Sequence, residues 1–188
     1  MRKLKLQVQV TADGYMGGPN GEMDWTTSSW TDDLTAYLDE VQHDVDTIVL
    51  GRKLAEGFIP AWASRPEGET DDTIDWMNNT SKVVASNTLT EPPWENAVIA
   101  RGDVADSIGR LKAQDGGEII TYGGSTLVAA LIANQLVDEL NLIVNPTSIG
   151  TGLPVFPRDG YQRFDLAHAQ RFECGMAALR YQRTGADA

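Results

Sequence analysis

Short apolar runs separated by helical patterns constrain this chain more than any other feature. Thr47–Leu50, Lys82–Ala85, Ala97–Ala100, Glu118–Tyr122 and Leu140–Val144 each have the length of a strand. Between them lie stretches of helical period. Leu34, Tyr37, Leu38 and Val41 recur at i, i+3, i+4 and i+7, one face of a helix. Thr31 offers an N-cap there, and Asp32 and Asp33 suit the first turn. Ile74 and Met77 suggest a short helix, and Val104, Ile108 and Leu111 mark another with Asp103 as its cap. A further helix runs from the glycine pair Gly123-Gly124 to Asn134. The beginning of the chain differs. Leu4, Leu6, Val8 and Val10 alternate with Lys5, Gln7 and Gln9, which predicts a strand with one buried face. From Phe164 onward two more strands follow, the last near Ala177–Gln182. Thr11–Gly21 and residues 60–72 read as loops, and Pro92-Pro93 breaks the chain. Alternation through the middle and strands at the end predict an α/β fold. Its central sheet is mostly parallel, with antiparallel C-terminal strands at one edge and helices on its faces.

The 188 residues suit one domain spanning 1–188. The net charge of −12 opposes nucleic acid and anionic membrane surfaces, so neither is an expected partner. No apolar run approaches the ~20 residues of a membrane span. The alternating start reads as a strand and not as a signal peptide. Cys174 is the only cysteine, so no internal disulfide forms, and a reducing, cytoplasmic location is the expectation.

The ends of three strands carry groups suited to anions: Gly51-Arg52-Lys53, Ser86-Asn87-Thr88 and Gly123-Gly124-Ser125-Thr126. Open α/β sheets bind ligands beyond the carboxyl ends of their strands. A helix start there offers unpaired N–H groups and about half a positive charge, and glycine lets backbone approach a phosphate. A single glycine pair is equally a tight corner, but three such turns in one sheet favour a ligand. Other chemistry fits poorly. Gly-Gly-Ser-Thr-Leu lacks the second glycine of a nucleophile elbow, so Ser125 is not a hydrolase nucleophile. His43 and His168 stand alone without metal-ligand spacing, and no metal is expected. Neither a Walker A motif nor G-x-G-x-x-G opens the first helix. Cys174 reads as a packing residue. Trp25, Trp30, Trp62, Trp76 and Trp94 suit the core first and a pocket for a flat ring second.

These residues resemble a known family. Gly123-Gly124-Ser125-Thr126-Leu127, then Leu136-Val137-Asp138-Glu139-Leu140, then Pro146, Gly150, Gly152, Pro154 and Phe156 resemble the reductase domain of bacterial riboflavin biosynthesis, in the dihydrofolate reductase-like superfamily. Asp13-Gly14-Tyr15 and Leu50–Phe58 are similar to other stretches of that superfamily, and the likeness runs from about Leu4 to Arg183. The resemblance implies an NADPH-binding domain with a sheet of about eight strands, acting on a small-molecule substrate as a homodimer. It implies that Gly51, Arg52 and Lys53 hold phosphates, with Arg52 or Lys53 near the 2′-phosphate. Ser86, Asn87 and Thr88 would meet the adenosine side, Gly123, Gly124, Ser125, Thr126 and Leu127 the pyrophosphate. Asp13 to Met16 would pass the nicotinamide, and Gly17–Gly21 would act as a lid. Hydride would pass to a C=N or C=O carbon, and Asp33, in the first helix, would deliver the proton. Acids in a first helical turn also serve the helix dipole without any catalytic role. Met23-Asp24-Trp25 departs from the Met-Pro-Trp of dihydrofolate reductases, which argues against dihydrofolate as substrate. The zinc motif of the partner deaminase domain is absent. A nucleotide-binding sensor without turnover is the alternative expectation, and a purely structural domain is the third.

Overall fold

The computed structural model describes residues 1–27, 29–156 and 162–184. Its elements run β1 (Leu4–Thr11), α1 (Asp32–Gln42), β2 (Val45–Gly51), α2 (Arg52–Ala63), α3 (Asp71–Asn79), β3 (Ser81–Ala85), β4 (Ala97–Ala100), α4 (Val104–Lys112), β5 (Glu118–Thr121), α5 (Ser125–Ala133), β6 (Glu139–Asn145), β7 (Phe164–Arg171) and β8 (Ala177–Arg183). The eight strands form one sheet in the order β4-β3-β2-β5-β1-β6-β8-β7. The pairs from β4 through β6 are all parallel. β8 pairs antiparallel with both β6 and β7, as the terminal run of strands predicts.

The alternating first strand is covered on both faces, which corrects the one-sided expectation. Leu4, Leu6, Val8 and Val10 join one core with Val49, Val83, Ile119, Leu140 and the α5 residues Val128 and Leu131. Gln7, Gln9 and Lys5 face the other way, toward α1. Lys5 is only 7% exposed. Its Nζ donates to the Val41 carbonyl at 2.8 Å and ion-pairs with Glu118, so the buried charge is partnered. The second core lies on this face: Leu34, Tyr37, Leu38 and Val41 of α1 pack over Ile48, Leu50, Ile120, Ile143 and Phe172.

A second correction concerns residues 60–72. α2 continues through Pro60 to Ala63, and α3 starts at Asp71, so the loop is confined to the residues between. Pro60 lies in the last turn, where its missing N–H forfeits one bond and leaves the helix intact upstream. Ala55 and Ile59 supply the buried side of α2. Asp103 caps α4 as its sequence predicts, accepting from Ala105 N–H at 2.7 Å and Asp106 N–H at 3.2 Å.

The chain moves outward from β1 through β2 and β3 to β4, then returns through α4 to insert β5 between β1 and β2. Connections leave to both sides of this point, so a crevice opens at the carboxyl ends of β1, β2 and β5. Gly51 is level with Ala85 across β2 and β3, and Val49 with Thr121 across β2 and β5. The strand-end turns therefore share one edge of the sheet.

Candidate active site

Two helices begin at this edge in an unusual way. α2 starts at Arg52 after the N-cap Gly51, and α5 starts at Ser125 after the N-cap Gly124. Neither has an acidic residue in its first turn or a side-chain cap. The other three helices among the described residues all carry acids in the first turn, and side chains cap α3 and α4. A helix start left without a cap keeps its N–H groups and its partial positive charge free for an anion.

Glycines bring these two starts together. A Cβ on Gly51 would stand 3.5 Å from the Cβ of Leu127, in the first turn of α5. Gly123 has φ +143° and Gly124 φ +87°, backbone that L side chains rarely adopt. A Cβ on Gly123 would also stand 3.0 Å from Cε of Met16. The loop after β1, the β2–α2 corner and the β5–α5 corner thus meet with almost no spare room.

The turns border a cleft of about 1600 Å³. That exceeds the ~300–1,000 Å³ usual for a single small ligand, so it has room for two. Gly51, Arg52, Lys53 and Gly123 to Leu127 line one half. The other half lies between α1 and the α2–α3 pair. Its floor is Gln7, Gln9 and Tyr122, its apolar walls are Leu38, Phe58, Trp62 and Met77, and its rim carries Asp39, Glu67 and Glu69. Phe58 stacks on Tyr122, with ring centroids 5.6 Å apart and planes 19° apart. Burial pushes the Tyr122 phenol well above its ordinary range, so it stays protonated.

The structure distributes the residues expected from the sequence unevenly. Gly51, Arg52, Lys53, Gly123, Gly124, Ser125, Thr126 and Leu127 all line the cleft. Arg52 is paired at 2.6 Å with Glu56, one turn on, while Lys53 is exposed and has no ion pair among the described residues. Ser86, Asn87 and Thr88 do not line it, although Ala85 does. The Ser86 hydroxyl accepts from the Thr88 and Leu89 N–H groups, and Oδ1 of the Asn87 side chain accepts from Gly102 N–H at 2.7 Å. Those groups shape a turn beside the cleft.

Asp13 also stands outside the lining. Its carboxylate accepts from the Ser148 hydroxyl at 2.9 Å and from Gly150 N–H at 2.8 Å. These bonds, with the Thr11 hydroxyl foremost, hold its carboxyl far below the usual range. It ties the β1 loop to the segment after β6. Met16 and Leu153 continue that zipper, with Met16 N–H donating to the Leu153 carbonyl at 2.8 Å, and both line the cleft. Of the Gly17–Gly21 stretch expected as a lid, Pro19, Asn20 and Gly21 line the cleft too.

Asp33 is the clearest departure. It is not among the lining residues, and its carboxylate is committed elsewhere. Oδ1 accepts from the Thr31 hydroxyl at 2.5 Å, and Oδ2 accepts from the Glu173 N–H at 3.0 Å. The Thr31 bond is the main cause holding its carboxyl below the ordinary value. The α1 acid that does line the cleft is Asp39. Of the tryptophans, Trp25 is buried and Trp76 and Trp94 pack against the core, while Trp30 and Trp62 line the cleft. Gln7 and Tyr122 were not singled out by sequence reasoning. Their signal was there: a glutamine on the polar side of β1 and a tyrosine directly before the glycine pair.

This architecture is the dihydrofolate reductase-like fold. Enterococcus faecalis dihydrofolate reductase, solved in complex with NADP(H), superposes with a TM-score of 0.64 at 17% identity, over 97% of this chain and 96% of that one. A family model described as the RibD C-terminal domain matches residues 2–178, and the chain belongs to that family. A Thermotoga maritima diaminohydroxyphosphoribosylaminopyrimidine deaminase/5-amino-6-(5-phosphoribosylamino)uracil reductase superposes with a TM-score of 0.68 at 16% identity, covering 97% of this chain and 56% of that one. At the sequence level the chain is 31% identical over 191 residues to the uncharacterized protein YyaP of Bacillus subtilis (strain 168), covering 98% of this chain and 96% of that protein.

Proposed function

We propose that this protein is an NADPH-dependent reductase of a C=N or C=O carbon in a small heterocyclic compound. The carrying observation is the pair of uncapped, acid-free helix starts at Gly51-Arg52 and Gly124-Ser125, set side by side at the crevice. A chain of net charge −12 that leaves two such starts bare has reserved them for an anion. Family membership supports a reductase, and the NADP(H) complex of the Enterococcus faecalis relative supports this cofactor.

When bound, the cofactor supplies hydride from its nicotinamide. The chain supplies position and charge. Gly51, Gly123 and Gly124 let backbone N–H groups approach the phosphates, with Ser125, Thr126 and Leu127 in the first turn of α5 behind them. Lys53 and Arg52 serve the 2′-phosphate, Lys53 as a point charge and Arg52 once released from Glu56. Met16 packs beside Gly123, in the segment that borders the nicotinamide. The substrate lies over Gln7 and Tyr122, where the Tyr122 hydroxyl hydrogen-bonds the heteroatom that gains negative charge. Asp33 receives no proton role, because its carboxylate is held ionised and turned toward Glu173. The protein acts as a homodimer in this reading, which sedimentation would check.

Titration with NADPH, followed by the fluorescence of Trp30 and Trp62 at the cleft, tests the reading. Binding in the micromolar range is expected, and a dissociation constant above ~1 mM would sink it.

A further inference from the structure

The substrate half of the cleft carries two features that cofactor binding leaves unused. First, Oε1 of Gln7 and the hydroxyl oxygen of Tyr122 are both shielded from solvent and have no hydrogen-bond partner among the described residues. Both belong to cleft-lining side chains. They are also neighbours on the floor. β1 and β5 run parallel with Leu6 level with Thr121, and Gln7 and Tyr122 are the next residue on each. A buried polar atom without a partner costs about 1–3 kcal/mol, which a bound ligand with matching groups recovers. The glutamine amide offers an acceptor oxygen beside its NH₂ donors, and the protonated phenol donates. A pair of this kind matches the edge of an amide or imide, where an N–H stands beside a C=O. The Phe58 ring stacked on Tyr122, with Trp62 beyond it at 6.1 Å, gives that edge a flat apolar wall.

Second, the rim of this half is acidic. Asp39, Glu67 and Glu69 line it. The lining cations among the described residues are Arg52 and Lys53, and they stand at the start of α2 in the cofactor half. A phosphate on the substrate would therefore meet carboxylates and no cation of its own. The Thermotoga maritima relative is named for a phosphoribosyl compound. Three carboxylates would repel one.

We infer that the substrate is a planar compound with an amide- or imide-type edge and no phosphate group, seated on Gln7 and Tyr122 and screened by Asp39, Glu67 and Glu69. The inference rests on the proposed reductase reading, which places the cofactor in the other half. It gives the acids a task, the rejection of phosphorylated relatives of the substrate. It also gives hydrogen-bond partners to a glutamine and a tyrosine left unpaired on the floor of the cleft.

Riboflavin and its 5′-phosphate form a matched pair of probes: one planar imide, with and without phosphate. Protein saturated with NADPH is titrated with each, and bound probe is followed by flavin fluorescence. Riboflavin should bind about tenfold tighter than its phosphate, the effect of roughly 1.4 kcal/mol of repulsion from a partly screened rim. Combining Asp39→Asn, Glu67→Gln and Glu69→Gln should close most of that gap. Tyr122→Phe and Gln7→Leu should each weaken both probes by about fivefold or more, by removing a hydrogen bond of ordinary strength. Equal or tighter binding of the phosphate, an unchanged gap in the triple variant, or no binding of either probe would overturn the inference. The NADPH titration is read first and separately. Failure there removes the reductase reading, whereas failure of the probes with NADPH bound removes this inference alone.

Discussion

Asp33 Oδ2 accepts a hydrogen bond of 3.0 Å from the Glu173 backbone N–H, joining the start of α1 to the turn between β7 and β8. A carboxylate in this position pins a helix to the sheet edge and does not face the cleft. Replacing Asp33 with Asn should lower stability to urea at neutral pH and leave the NADPH dissociation constant unchanged. The sign with pH follows from its depressed carboxyl. Its contribution is fully present above the ordinary value of 3.8 and is lost as pH falls through the lower folded value. The stability gap between wild type and Asp33→Asn should therefore shrink in acid. A gap that widened there would show that the bond to Glu173 does not favour the ionised form.

Arg52 and Lys53 open α2 at the cleft, on the side proposed for the cofactor. Only NADPH carries a 2′-phosphate, so these side chains should separate it from NADH. Lys53→Ala should weaken NADPH by about tenfold, the value of one partly exposed charge-assisted contact, with less than a twofold change for NADH. Arg52→Ala should have the smaller effect of the two, because its guanidinium already holds Glu56 at 2.6 Å. Parallel calorimetric titrations read both, and equal losses for the two cofactors would remove the residues from this role.

Much of the frame was legible because parallel strands announce themselves as continuous apolar runs. Val83-Val84 and Ile119-Ile120 could be little else, and Asp103 marked the start of α4. α2 was obscured by Pro60, which reads as a breaker although the helix runs on through it to Ala63 at the loss of one backbone bond. The uncapped corners before α2 and α5 were visible as glycines at strand ends. What a one-dimensional reading could not show is where a short polar side chain turns. Asp13, Asp33 and Ser86 have the right type and address for a ligand, yet each spends its oxygens on nearby backbone N–H groups. The floor of the cleft was hidden for the opposite reason. Gln7 belongs to an alternation that predicts solvent, and only the packing of α1 over β1 turns that face into the bottom of a cleft.

Gly123 offers a direct test of the corner. Its φ of +143° is open to glycine, and an added Cβ would press on Met16 Cε at 3.0 Å. Gly123→Ala should cost about 1–3 kcal/mol of stability, from strained backbone and the crowded methionine. It should also weaken NADPH at least tenfold in the proposed reading, since the added methyl stands in the turn whose backbone would approach the phosphates. Urea unfolding and a cofactor titration on the same preparation separate the two effects. Gly109, in α4, is the control: a Cβ added there would meet nothing within 4 Å among the described residues, and Gly109→Ala should be neutral or slightly stabilising.

Asp138 joins three elements at the far end of the sheet from the cleft. Its Oδ2 accepts from Leu4 N–H at 2.8 Å and from the Lys112 ammonium, and its Oδ1 faces Arg183. Lys112 is 4% exposed, so losing its counter-ion would leave a buried charge. Asp138→Ala should destabilise the protein by about 3–5 kcal/mol in urea, the cost of orphaning one partner of a buried pair. Lys112→Met in the same background should recover part of that loss, because it removes the stranded ammonium. Full additivity of the two substitutions would show that the pair is not coupled.

Lys82 sets the pH behaviour at the alkaline end. It is 3% exposed, and its Nζ donates to the carbonyls of Asn78 at 2.9 Å and Thr80 at 2.6 Å. Burial pushes its ammonium down from 10.5 to about 8. Between those values the unfolded chain binds the proton that the folded chain has released, so stability rises with pH across that window. Below it both states are protonated, and the folded state bears the whole cost of the buried charge. Lys82→Met removes this titration. The stability of wild type relative to Lys82→Met should therefore climb as pH is raised from 8 to 10.5, measured by urea unfolding at intervals across the range. A flat difference would mean that the two carbonyls at the end of α3 hold the ammonium well enough to cancel its burial, which is the opposing force in this geometry.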